Sequence, residues 1–298
     1  MHYALVFSTS RTSATDSAIT NAQLQHVAKG VTPLENITWL ADGVAAECPI
    51  NQLKRSDIDA LRQKADAFQI DVNMVPKDKR RKSLLIADMD STIIEGESLD
   101  DMAELAGLGS AIAAITTRAM RGELDFEQAI DERVAMLAGR PTTLFEQAIA
   151  ETTLMPGAIT AIQTMRANGA FCYLVSGGFT SIVAPIADQC GFHGFHANEM
   201  HIKDNMVTGT VKKPVLGREA KAQFLAHYST MHGQGADQSL CVGDGANDMA
   251  MLKAAGMGVA YQGKPLLREA INIQLNHTNL TGLLFLQGYK SEEFVTSS

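Results

Sequence analysis

Long apolar runs are missing from this sequence, and none approaches the roughly 20 residues that a bilayer span requires. The N-terminus has no basic segment followed by a signal-like apolar stretch, so the expected compartment is the cytoplasm. Cysteine is sparse. Cys48, Cys172, Cys190 and Cys241 are scattered without a C-x-x-C pair, which excludes a zinc knuckle or a secreted disulfide framework and leaves buried free thiols. Positive charge is in deficit. The 25 Lys and Arg against 33 Asp and Glu leave a formal net charge of −8, which excludes nucleic acid and anionic membrane as main partners. Charged residues make up 19% and hydrophobic residues 46%, too little charge for disorder and enough apolar material for a core. At 298 residues the chain should hold one main domain and at least one smaller unit.

The smaller unit is expected first. Residues 1–76 show strand-like runs at His2 to Phe7, Ile37 to Ala41, Gly43 to Cys48 and Ile70 to Val75, with helical patterns near 18–29 and 56–68. The order β-α-β-β-α-β is ferredoxin-like, and the segment is similar to the small amino-acid-binding ACT domains. The run Lys77-Asp78-Lys79-Arg80-Arg81-Lys82 follows Pro76 and reads as a solvated linker over 77–82 rather than as a polyanion-binding patch.

Beyond it, apolar runs of strand length stop abruptly at small and polar residues. Leu84 to Ala87 stops at Asp88, Phe171 to Val175 at Ser176-Gly177-Gly178, and Leu240 to Val242 at Gly243-Asp244, with a shorter run at Met257 to Ala260. Helical patterns lie between them, at Ala158 to Ala167 and Arg218 to Tyr228. Continuous apolar strands alternating with helices predict an α/β, doubly wound, mostly parallel sheet covered on both faces. Ligands bind such sheets beyond the carboxyl ends of the strands, so the three polar clusters should share one crevice. Residues 93 to about 155 interrupt the alternation with helical material, Leu99 to Ala106 and Phe126 to Leu137 included, and are expected to form an inserted helical cap. Asn198 to Val211 alternates around Asp204-Asn205 and predicts a hairpin.

Asp88 and Asp90 are two carboxylates close enough to repel, and Asp244 and Asp248 add two more from another strand end. Repelling acids call for a cation or a shared proton, and four converging acids make an oxygen-rich site suited to magnesium. Alone, each acid serves equally well as a helix cap or turn residue, as Asp90 would before a helix. Ser176 does not stand in a Gly-x-Ser-x-Gly elbow, which argues against a Ser-His-Asp hydrolase. His193, His196 and His201 fall across a loop and the hairpin, where structural or exposed roles are expected.

Asp88-x-Asp90-x-Thr92, Ser176-Gly177-Gly178, Lys221 and Gly243-Asp244-Gly245-x-Asn247-Asp248 resemble, in order, the four motifs of the haloacid dehalogenase superfamily, over residues 83–290. Within it the chain is most similar to the phosphoserine phosphatases, on Glu97 in Glu95-Gly96-Glu97-Ser98, the segment Met120 to Phe126, Arg133 in Glu132-Arg133-Val134, and Val175-Ser176-Gly177-Gly178-Phe179. The resemblance implies a haloacid dehalogenase-like, Rossmann-like core at 83–298. It also implies hydrolysis of O-phosphoserine, the last step of serine biosynthesis. By it, Asp88 is the nucleophile, Asp90 the acid and base, and Lys221 the balancing charge. Magnesium would be held by Asp88, Asp244 and the carbonyl of Asp90, with Asp248 nearby. Ser176, Gly177, Gly178 and Asn247 would bind the phosphate; Glu97 the ammonium; Arg133 the carboxylate; Met120 and Phe126 would be apolar walls. A homodimer through the N-terminal unit is also entertained. Two alternatives stay open: a relative acting on another small phosphate ester, and an amino-acid sensor with a vestigial phosphatase domain. The intact acids oppose the second.

Overall fold

The computed structural model describes residues 2–10 and 18–296, apart from the side chain of Met120. The N-terminal unit runs β1 (Tyr3–Ser8), α1 (Asn21–Ala28), β2 (Thr38–Ala41), β3 (Ala45–Ile50), α2 (Arg55–Ala65) and β4 (Asp71–Pro76). Its strands pair antiparallel in the order β2-β3-β1-β4, the ferredoxin-like arrangement. Alternate residues of a strand point to opposite faces, and both faces here are apolar. Leu5 and Phe7 of β1 pack with Leu24, Ile58 and Leu61 of the helices. Ala4 and Val6, one residue out of phase, join Ala45 and Val75 in the core that also contains Leu284 and Phe285 near the C-terminus.

The two units are therefore joined by a shared core, and polar contacts reinforce the seam. The buried carboxylate of Asp71 accepts from the backbone N–H of Asn276, His277 and Thr278 at 2.8, 3.0 and 2.8 Å. Asn73 exchanges two hydrogen bonds with the backbone of Gln274, at 2.7 and 2.9 Å. One residue of the basic run, Arg80, departs from the solvated linker expected of it, while Lys77, Asp78, Lys79 and Arg81 are exposed. Arg80 is buried, held by Glu47 and by the carbonyls of Phe285 and Leu286. Arg81 lies 3.9 Å over the Tyr289 ring. A guanidinium goes inside when every donor finds an acceptor, which its sequence neighbourhood cannot reveal.

The second unit is built on β5 (Leu84–Ala87), whose four residues have no solvent exposure. Burial of each large apolar side chain contributes about 1.5–3 kcal/mol, so a polar replacement in β5 would break the sheet at its centre. After β5 come the cap helices α3 (Ser98–Leu105), α4 (Gly109–Met120), α5 (Phe126–Met136) and α6 (Thr143–Glu151). The main alternation resumes with α7 (Ala158–Ala167), β6 (Phe171–Phe179), α8 (Thr180–Cys190) and β7 (Gly194–Asn198). A hairpin of β8 (Met200–Lys203) and β9 (Met206–Val211) follows. The chain ends with α9 (Ala220–Met231), β10 (Ser239–Gly243), α10 (Met249–Ala254), β11 (Met257–Tyr261), α11 (Pro265–Ala270), β12 (Ile273–Leu275) and α12 (Gly282–Leu286).

The six main strands are all parallel, in the order β12-β11-β10-β5-β6-β7. From β5 the chain winds one way through β6 and β7, then returns to β10 on the other side. The carboxyl ends of β5 and β10 thus form the switch point at which open α/β sheets bind ligands. Strands β7 and β12 carry no clear sequence signal. The first is a half-buried edge with a polar His196, and the second has three residues. Strand β6 also continues to Phe179 instead of stopping at Val175, with a register break against β7 between those residues.

The cap starts cleanly where the chain supplies caps. Asp125 and Gln128 exchange hydrogen bonds of 2.8 and 3.0 Å at the start of α5, a capping box. Gly157, at φ +83°, turns the chain into α7, and an added Cβ there would lie 2.8 Å from the backbone nitrogen of Thr281. The β8–β9 hairpin turns on Asp204 and Asn205, both at positive φ, and is stitched to the cap. Gly139 N–H donates to Val207 O and Val207 N–H to Arg140 O, each at 2.8 Å.

Candidate active site

Three strand ends meet at the switch point. Asp88 directly follows β5, and its Oδ1 accepts from the Met89 amide at 2.7 Å. Its Oδ2 faces Lys221 Nζ at 2.6 Å and accepts from Asn247 Nδ2 at 3.2 Å. Lys221, near the start of α9, also reaches Asp248 Oδ1 at 2.6 Å. Burial alone would lower the Lys221 pKa, but Asp88 and Asp248 outweigh it and hold the ammonium above its ordinary range. Asp248, fully buried, is raised by burial and by Asp88, against Lys221. Its Oδ2 accepts from Gly245 N–H at 3.1 Å, closing the turn after β10.

Asp90 stands apart from that network. Its Oδ1 accepts from the Ser98 amide at 2.8 Å, and its Oδ2 lies 3.5 Å from Ser176 Oγ. Burial pushes its carboxyl up to about 6, against the hydrogen bonds of Ser98. A carboxyl with a pKa in that range can both give and take a proton near neutral pH.

The bulge in β6 forms the third wall. Gly178 N–H donates to Ser176 Oγ at 2.8 Å, and Asn198 Nδ2 holds the carbonyl of Gly177 at 2.8 Å. An added Cβ at Gly178 would come within 3.0 Å of Ser176 Oγ and 3.5 Å of Asp90 Oδ2. One at Gly177 would sit 3.6 Å from the Phe126 ring. Gly178 therefore keeps the backbone open toward Asp90, and Phe126 of the cap lies over the bulge at Gly177.

Glu97, the residue before α3, has a half-exposed carboxylate that accepts from Ser91 Oγ at 3.1 Å. Partial desolvation and then Asp90 raise its pKa. Arg133 on α5 bonds its own helix at Ala129 O, and among the described residues it makes no ion pair. Its pKa is lowered by desolvation, against the pull of Asp100, Glu97 and Asp90. Met120 ends α4, but its side chain lies outside the described residues. The histidines lie elsewhere. His196 is in β7, stacked on Phe224 at 3.6 Å and bonded to the Tyr228 hydroxyl, and His201 is exposed on the hairpin.

Carboxylate oxygens of Asp88, Asp244 and Asp248 lie within 4.8 Å of one another, and all three residues are buried. Such a hard, all-oxygen set, short of countercharge, fits magnesium. Asp90 contributes no carboxylate to it. Lys264 escaped the sequence reading. Its Nζ lies 3.0 Å from Asp244 Oδ2 and 3.9 Å from Glu97 Oε1. Ser98 and Asn198, which brace Asp90 and Gly177, were also missed. Ser98 stands at the end of the quoted Glu95-Gly96-Glu97-Ser98 segment without a role of its own, and Asn198 and Lys264 sit outside the motifs and reach the site only through tertiary packing.

Comparison with known proteins places residues 85–253 under the model for haloacid dehalogenase-like hydrolase. The phosphoserine phosphatase SerB2 of Mycobacterium tuberculosis is 44% identical over 209 residues, 70% of this chain and 51% of that protein, so this chain spans about half of its length. Among solved structures, a HAD family hydrolase from Salmonella enterica serovar Typhi superposes with a TM-score of 0.85 at 27% identity. That match covers 97% of this chain and 99% of the other, the N-terminal unit included. A substrate-bound phosphoserine phosphatase complex superposes with a TM-score of 0.63 at 35% identity, over 69% of this chain and 98% of that one.

Proposed function

Because the chain belongs to the haloacid dehalogenase-like hydrolases, we propose that it is a phosphoserine phosphatase, hydrolysing O-phospho-L-serine to L-serine and phosphate through an aspartyl-phosphate on Asp88. The observation that carries this reading is the division of labour at the end of β5. Asp88 is tied to Lys221 and Asn247, while Asp90 is free of them and raised toward neutral pH. The names of the relatives support phosphoserine as the substrate.

In the first displacement an Asp88 oxygen attacks phosphorus, and the departing seryl oxygen takes the proton of Asp90. In the second, Asp90 removes a proton from water, which attacks the phosphorus of the aspartyl-phosphate and releases phosphate and the Asp88 carboxylate. Asp88, Asp244 and the main-chain carbonyl of Asp90, with Asp248 nearby, would hold magnesium, whose charge neutralises the phosphoryl oxygens. Ser176, the amides of Gly177 and Gly178, and Asn247 would cradle the phosphoryl group. Glu97 would take the substrate ammonium, and the guanidinium of Arg133 its carboxylate. Phe126, and Met120 beside it in the chain, would exclude water.

The reading keeps the cytoplasm as the compartment and serine biosynthesis as the context. A homodimer through the N-terminal unit would use its helical face or the β2 edge, because the other sheet face lies in the shared core. The test is phosphate release from L-phosphoserine with magnesium, beside phosphothreonine and a sugar phosphate, in wild type and Asp88→Asn. Preference for phosphoserine, lost in the variant, supports both substrate and nucleophile. Equal turnover of all three removes the substrate assignment, and an active variant removes the mechanism.

A further inference from the structure

The two lysines of the site stand on its acids in different ways. Lys221 is buried, with both partners at 2.6 Å, and cannot leave without stranding a charge in the core. Lys264 is anchored only at its backbone, where its N–H donates to the carbonyl of Asp244 at 2.9 Å. Its side chain is 62% exposed, yet the ammonium turns back onto Asp244 Oδ2 at 3.0 Å, with Glu97 Oε1 3.9 Å away as a second perch. An ion pair open to solvent is weak and easily exchanged. Asp244, by contrast, is buried, and its carboxylate belongs to the three-acid cluster.

We propose that Lys264 is a positioning residue, a tethered and displaceable counter-cation that covers Asp244 in the metal-free protein and lowers the affinity of the acid cluster for magnesium. The inference rests on reading that cluster as the magnesium site. Lys221 can share Asp88 with a metal ion because it is buried and also held by Asp248, whereas Lys264 meets Asp244 only from its exposed side. The repulsion between the Lys264 ammonium and a divalent ion at neighbouring positions exceeds what one exposed hydrogen bond returns, so the lysine must swing toward Glu97 or solvent when the metal enters. Its built-in competition keeps the metal exchangeable.

The experiment is calorimetric titration of magnesium into the metal-free full chain, comparing wild type with Lys264→Met, Lys264→Arg and Asp244→Asn. Because Lys264 is exposed, its replacement leaves the core intact. Lys264→Met is expected to bind magnesium about tenfold more tightly at low ionic strength, with the gap closing as salt is raised. Lys264→Arg should restore the wild-type value. Unchanged or weaker binding by Lys264→Met, while Asp244→Asn loses the metal, would overturn the role given to Lys264 and leave the metal site standing. Wild-type affinity in Asp244→Asn, or no binding by the wild type, would overturn both.

Discussion

Arg80 lies on Glu47 at 2.5 Å, a buried guanidinium joined to a strand of the small sheet, while its remaining donors hold the carbonyls of Phe285 and Leu286. One side chain thus ties the N-terminal unit to α12 of the second unit. Arg80→Ala would leave Glu47 and two carbonyls without their donor, at a cost of about 3–5 kcal/mol. Thermal unfolding should show a clear drop in Tm, and a variant as stable as wild type would mean the bond is not needed at the seam.

Asp90→Asn removes the proposed proton donor and acceptor but keeps the shape of the side chain and the contact to the Ser98 amide. Turnover of phosphoserine should fall by about 10²–10⁴-fold, the usual contribution of a general acid–base group. Steady-state phosphate release measures it, and a loss below a few-fold would transfer the proton role elsewhere.

Arg133 makes no ion pair among the described residues, which leaves its fork available. Arg133→Ala should cut kcat/KM for phosphoserine by roughly 10–100-fold, equivalent to about 1.5–3 kcal/mol for a charged hydrogen-bonded partner. Turnover of phosphoethanolamine, which has no carboxylate, should hardly change. Equal losses on the two substrates would show that Arg133 supports the cap and not the substrate.

His196 is lowered below its ordinary pKa by burial and by His227. The unfolded chain therefore takes up its proton first as pH falls, so the stability contributed by neutral His196 is present above about 6.5 and is lost below it. Between pH 7.5 and 5 the wild type should lose more Tm from this source than His196→Gln does. Parallel Tm profiles would place the titration elsewhere.

Much of the protein was legible one residue at a time. Leu84 to Ala87 had to be a buried strand because four consecutive apolar residues suit only a position covered on both faces. Asp88 and Asp244 could be placed at strand ends from the chain itself, since each directly follows an apolar run, and the fold brings both together with Asp248. Arg80 and Lys264 could not. Both are basic residues in polar stretches, and nothing beside them in sequence tells that one is buried and the other lies on Asp244.

The amino-acid sequence by itself determined the parallel core, the cap, the ferredoxin-like order and the acids, because these depend on hydrophobic period and on motif spacing within short windows. Only the tertiary structure decided that the small sheet is buried on both faces, that the cap is stitched to the hairpin, and which ammonium stands on which carboxylate. Those outcomes depend on partners more than 200 residues away in the chain, as Arg80 and Leu286 are, 206 residues apart. A contact of that kind is chosen by packing, which sums over the whole fold and leaves no local signature.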